Sequence, residues 1–259
     1  MRIRLATLLV VVLAAGGSLA AAESPFAGTW KFNPTKSKLT GDTMKFAKTA
    51  SGAILWSSSG VSYTFKVDGK EYKGPFGEAI VWKQIDDHTW QTTSTQKGVL
   101  LSTDTTMISP DGKIMTVVSK GTKPGGEKFE DTVVYERIAG DTGLMGGWRD
   151  KEVKVGSPWT LVFTASGKDG LRFKSVDYKW TCDAQFDGKD NPVTGPTVGE
   201  GITVALTQAG ARSFKAVMKK SGKPLVRETY TLSKDGRTLT VVGSAVAVNE
   251  PYTEVFDRQ

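Results

Sequence analysis

The sequence predicts an all-β protein made of two tandem small antiparallel β-barrels, with about eight to ten short strands in each. Three observations carry this. Apolar and polar residues alternate with period two, as in Val61, Tyr63, Phe65 and Val67, or in Tyr178, Trp180, Cys182, Ala184 and Phe186, the mark of half-buried strands. Asp-Gly pairs at 68–69, 111–112, 187–188 and 235–236 punctuate these runs, as hairpin turns require. The chain also repeats itself.

The repeat sets the organisation. Phe65 to Pro75 aligns with Ala184 to Pro196, Ser109 to Val118 with Ser233 to Val242, and Val134 to Arg137 with Val255 to Arg258. The starts match at Gly28-Thr-Trp30 and Gly147-Trp148, so matched positions lie 118 to 124 residues apart. Four blocks recurring in order define copy one as residues 23–139 and copy two as 140–259, joined by a Gly-rich segment from Ala139 to Gly146. Closing each copy removes the two sheet edges that an open sheet exposes to aggregation. One continuous sheet shared by both halves is the other arrangement this pattern allows.

Residues 1–22 read as a secretory signal peptide: Arg2 and Arg4, then Leu5 to Ala15, then Ala20-Ala21-Ala22 before Glu23. The apolar run is shorter than the ~20 residues of a membrane span, and no later segment is apolar enough to be one, so the expected location is periplasmic or secreted. The 34 basic and 27 acidic residues give a formal charge of +7, spread along the chain. Nucleic-acid binding calls for a concentrated basic stripe, so none is expected. Cys182 is the only cysteine; no disulfide can form within the chain, and the fold rests on its core and its hydrogen-bond ladders. A monomer without cofactor or metal is expected.

Phe26-Ala-Gly-Thr-Trp-Lys31 and Val134-Tyr-Glu-Arg-Ile138 resemble the opening and closing strands of fatty-acid-binding proteins and of the wider lipocalin-type barrels. Gly28 to Ser37 and Phe186 to Gly195 are similar to two motifs of exported bacterial lipocalin-like proteins of uncharacterised function. The resemblance implies a calycin-type barrel and an exported compartment, without a substrate. Fatty-acid-binding proteins carry an Arg two residues before the terminal-strand Tyr, where it clamps a carboxylate. Here those positions hold Val133 and Glu254, so that clamp is not carried over.

Trp30 and Trp148 open the two copies and Arg137 and Arg258 close them. A Trp plugging each barrel end, with the Arg of the same copy stacked on its face, is the expected arrangement, as in lipocalin-type barrels. His88, the only histidine, follows Asp86-Asp87 at an expected hairpin tip, too solvated for catalysis or metal binding. Cys182 falls on an apolar strand face and is expected to act as a small hydrophobe. No phosphate loop, metal-spaced cluster or nucleophile motif is present, and no catalytic residue is assigned.

Asp104 and Glu228 occupy matching mid-strand positions. Ser102, Asp104 and Thr106 share one parity in copy one, as do Glu228 and Tyr230 in copy two. With inward parity these five residues line a wet ligand cavity; with the opposite register they face solvent. Copy one, with the more polar face, is the expected cavity, and copy two, with Trp180, Phe186, Phe214 and Met218, the expected solid core. Two functions follow: a carrier of a small hydrophobic or amphipathic molecule, or a structural or protein-interaction module of the envelope with filled cores.

Overall fold

A computed structural model describes residues 24–140, 142–247 and 251–259. The expected leader lies outside these residues. The chain is all-β, with one short 3-10 turn at Pro34–Lys36. Its strands are β1 (Gly28–Phe32), β2 (Thr43–Lys48), β3 (Ile54–Ser58), β4 (Val61–Phe65), β5 (Glu71–Lys73), β6 (Ala79–Gln84), β7 (Thr89–Gln96), β8 (Val99–Ile108), β9 (Ile114–Thr122) and β10 (Lys128–Ala139). They continue as β11 (Gly146–Lys154), β12 (Thr160–Ser166), β13 (Gly170–Ser175), β14 (Thr181–Gln185), β15 (Asp187–Thr194), β16 (Ile202–Gly210), β17 (Ser213–Lys220), β18 (Lys223–Leu232), β19 (Thr238–Ala245) and β20 (Pro251–Arg258).

These form two ten-stranded antiparallel sheets, but the sheets do not follow the repeat boundary. Barrel two is closed and runs β1-β12-β13 and on through β20, whereas barrel one runs β4-β3-β2-β11-β10-β9-β8-β7-β6-β5. The opening strands of the two copies are exchanged. β1 sits between β12 and β20, with Trp30 opposite Leu161 and Arg258. β11 sits between β10 and β2, with Trp148 opposite Arg137 and Met44.

Chain connectivity explains the exchange. β10 ends at Ala139 and β11 starts at Gly146, and so short a connection makes the two strands hairpin neighbours. β11 therefore completes barrel one, which leaves β1 to complete barrel two. The segment after β1 is built for that position. The Asn33 side-chain oxygen accepts from the amides of Thr35 and Lys36, and its amide nitrogen donates to Asp257 at 2.6 Å. Lys36 pairs with the same Asp257 at 2.8 Å, and Lys38 bridges to Thr253. The Asn-Pro-Thr-Lys-Ser run thus fastens β1 to the final strand of the chain.

The exchange corrects the expected plug pairs. Arg258 lies 4.2 Å over the ring of Trp30, and Arg137 lies 4.0 Å over the ring of Trp148. Both Trp side chains are fully buried. The two ends are otherwise alike: Trp30 Nε1 donates to the Phe26 carbonyl and Trp148 Nε1 to the Leu144 carbonyl. Arg258 donates to the carbonyls of Pro25, Ala27 and Gly236, and Arg137 to those of Gly112, Gly143 and Met145. Each plug Trp therefore takes its cation from the other repeat, because the strand that carries it has moved.

The circuits differ at one seam. β14 pairs with β15 only at Thr181 to Thr194 and Cys182 to Val193, while β4 and β5 are the unpaired ends of barrel one's sheet. Copy two carries two more residues between its Asp187-Gly188 pair and Pro196 than copy one does between Asp68-Gly69 and the aligned Pro75. β15 is accordingly eight residues long against three for β5, long enough to reach its neighbour.

The barrels also touch. The buried Lys123 ammonium donates to the Ser157 carbonyl and hydroxyl at 2.6 and 2.7 Å and reaches Glu127 at 3.2 Å. Gly125 donates to the Asp177 carbonyl. The β5–β6 turn approaches the mouth of barrel two: Phe76 packs against Gly199, and Lys220 Nζ lies 5.2 Å over its ring.

Candidate functional site

Barrel two holds a cavity of about 540 Å³. Trp159, Leu161, Phe173, Trp180, Cys182, Val204, Ala216 and Met218 form its apolar wall, and Phe76, Glu78, Gln96 and Leu101 of barrel one stand at its mouth. A second cavity of about 270 Å³ lies inside barrel one, and Phe76 and Glu78 border it as well. Barrel two is the roomier, the reverse of the sequence expectation. Phe214 and Phe186 do pack tightly, Phe214 stacking on Tyr230 at 4.5 Å and meeting Phe186 at 5.6 Å. Trp180 and Met218 instead stand in the wall around open space.

The sheet ladder explains the difference in size. In barrel one Trp82 is opposite Thr92, Thr92 opposite Asp104, and Asp104 opposite Ser119. In barrel two Leu206 is opposite Ala216, Ala216 opposite Glu228, and Glu228 opposite Gly243. Barrel one therefore spends volume where barrel two has smaller side chains. Tyr63, aligned with Cys182, adds to this: its hydroxyl accepts from Trp82 Nε1 at 2.9 Å, and Trp82 stacks on Phe65 at 4.6 Å.

The polar end of the larger cavity is built on β18 and β20. Glu228 accepts from the hydroxyls of Tyr230 at 2.8 Å and Tyr252 at 2.6 Å. Tyr252 reaches it across Gly243, which lies opposite both residues. A Cβ on Gly243 would collide with the Tyr252 ring and hydroxyl, so glycine is what lets the ring cross the strand. Glu254 lines the same cavity. Removal from bulk water, then the charge of Glu228, raises its carboxyl to about 8. The same two causes hold the Tyr230 hydroxyl well above its ordinary value.

The five sequence candidates fall into two places. Glu228 and Tyr230 line the larger cavity, and Asp104 and Thr106 the smaller one. Ser102 is not among the lining residues; its hydroxyl counters, with that of Ser119, the burial that pushes the Asp104 carboxyl upward. One Asp104 oxygen and the Thr92 hydroxyl are buried without a hydrogen-bond partner. Tyr252, Gln96 and Glu78 also belong to the larger site, with no sequence motif to mark them, and Glu254 stands where a carboxylate-clamping Arg is missing. Gly243 inside a Val-rich strand was the available signal, since glycine there marks a close approach.

His88 is exposed at its turn. Cys182 is buried, and burial pushes its thiol up to about 11, which keeps it un-ionised and unreactive near neutral pH. Among the described residues, no group of three or more His, Cys, Asp or Glu is placed to hold a metal, and no helix is long and apolar enough to cross a membrane. Compared with family models, with curated proteins and with solved structures, the chain matches none.

Proposed function

We propose that this chain is an exported, non-catalytic, lipocalin-like binding protein of the periplasm or the extracellular space, which holds a small, partly apolar molecule inside barrel two. The observation that carries the reading is the cavity of about 540 Å³, within the roughly 300–1,000 Å³ usual for small-molecule sites. Its wall is mainly apolar and aromatic, with a few convergent polar groups at one end, the composition that binds a ligand by burial and orients it by hydrogen bonds. Inward acids support it too: in a dry core a carboxyl costs several kcal/mol unless paired, so Glu228 and Glu254 fit a cavity filled by water or ligand.

The test is titration of the mature protein with N-phenyl-1-naphthylamine, a neutral dye that fluoresces in apolar surroundings. One saturable site is expected, lost in Ala216→Phe, which fills the wall, together with a small molecule retained in native mass spectra of protein from its own host. An absence of both dye binding and retained ligand would overturn the reading and leave an envelope interaction module as the better account.

A further inference from the structure

The charge of the cavity contrasts with that of the chain. The protein carries a formal charge of +7, yet the ionisable carboxyls lining the larger cavity are Glu78, Glu228 and Glu254, and no Lys, Arg or His lines it among the described residues. Glu78 is occupied by the Phe76 amide at 2.8 Å, and Glu228 by two tyrosines. The adjoining groove between the barrels, which shares Tyr252 and Glu254, adds Asp42, Asp150 and Tyr135 and again no basic side chain.

A buried acceptor at the mouth adds to this. Gln96 of β7 is only 5% exposed and borders the same cavity, and its Oε1 has no hydrogen-bond partner. A buried amide oxygen left unpaired loses its hydration without compensation, and a ligand N–H would supply the missing bond. The unpartnered buried acceptor of the site is Gln96 Oε1, and the Glu254 carboxyl, which holds a proton near neutral pH, becomes a full acceptor once that proton leaves. Trp159 and Trp180 in the wall add aromatic faces that attract cations.

We infer that the molecule held by barrel two is an amphipathic organic cation, a protonated amine on an apolar body, with its ammonium seated at the Glu228–Glu254 end of the cavity. This rests on the binding reading above and names its ligand class. An alkyl carboxylate is disfavoured at that end, since it would meet Glu228 and Glu254 with no basic side chain in the lining; the Lys220 ammonium lies away at the mouth, over Phe76. The ammonium donates to Glu254 and takes over the role of the proton that Glu254 otherwise holds, so seating it near neutral pH releases that proton to solvent. The titratable groups that share the cavity or its groove with Glu254 are Glu228 and Tyr230 on β18, Tyr252 on its own strand, Glu78 at the mouth, and Asp42, Asp150 and Tyr135 along the groove; the segment packed on β20 adds Lys38, bridged to Thr253, and Lys36, held by Asp257.

The experiment is calorimetric titration of the mature protein with decylammonium, decanol and decanoate, identical in apolar body. Decylammonium is expected to bind at least about tenfold tighter than decanol, as charge-assisted hydrogen bonds outweigh neutral ones, and decanoate most weakly. Its affinity should rise between pH 6 and 9, and its binding enthalpy at pH 7 should vary with the buffer's ionisation enthalpy as a proton is released. Glu254→Gln and Glu228→Gln should each reduce the ammonium-to-alcohol ratio. If decanol binds and decylammonium is no tighter, the cation inference falls while the binding reading stands. If none of the three binds while the dye does, the cation inference falls alone; if the dye is refused and no ligand is retained, both fall.

Discussion

The two barrels share one strand plan and differ in what fills the middle layer. At the positions where barrel one places Tyr63, Trp82, Thr92, Asp104 and Ser119, barrel two places Cys182, Leu206, Ala216, Glu228 and Gly243. Larger side chains have given way to smaller ones on four strands, and the acid has lengthened by one methylene. The space released on one wall is used on another: Tyr252 crosses Gly243 to reach Glu228. Duplication thus yields one tight unit and one roomy unit without a change of topology. The difference teaches that cavity size in a small barrel is decided by a single interior layer, not by the polarity of one strand face.

The largest expected effect breaks the comparison at its base. Trp30→Ala should cost ~3–5 kcal/mol, as loss of a buried aromatic does. Because β1 belongs to barrel two, amide exchange should quicken in Thr160–Ser166 and Pro251–Arg258, while Thr43–Lys48 and Lys128–Ala139 stay protected. Trp148→Ala should give the converse map. Quickened exchange in β2 and β10 on loss of Trp30 would mean that β1 closes its own copy.

The next effect concerns Glu254, which has Val133 as its counterpart in barrel one. A carboxyl raised from 4.5 to about 8 in the folded state holds its proton more tightly there than when unfolded. Stability is therefore highest below the unfolded value and falls as pH rises from about 4.5 to about 8, then levels. Glu254→Gln should flatten this decline and raise the melting temperature at pH 8 by several degrees. An unchanged pH profile would show that Glu254 is ionised in the native cavity.

A smaller effect sharpens the interior comparison. Gly243→Ala should displace Tyr252 from Glu228 at a cost of ~1–3 kcal/mol, as overpacking does, and weaken dye binding in barrel two. Its counterpart Ser119→Ala removes only the hydroxyl that supports Asp104, where no ring crosses, and should leave dye binding alone. Equal effects on the dye would place the bound molecule outside barrel two. Smallest of all, His88→Ala should stay within about 0.5 kcal/mol of the parent in thermal melts, as exposed turn positions do.

From the sequence alone come the all-β class, the hairpins at 111–112 and 235–236 and the four plug residues. Each depends on local chemistry: period-two alternation, Asp-Gly turns with Gly112 and Gly236 both at φ 70, and a repeated Trp and Arg. The Asp-Gly pairs at 68–69 and 187–188, by contrast, close no tight hairpin, since β4 and β5 do not pair and residues 187–188 lie within β15. The sequence also determined that Glu228 and Asp104 share a layer, because a ladder preserves spacing. Which Arg meets which Trp was decided only in three dimensions. The two opening strands fit either barrel, and the short 139–146 connection holds β11 beside β10 and sends β1 across the molecule. Cavity size was likewise hidden, since strand parity tells which way Trp180 and Met218 point but not how much room the facing strands leave. That room is set by Ala216, Leu206 and Gly243, brought together from three strands by pairing, and volume is a property of the whole layer.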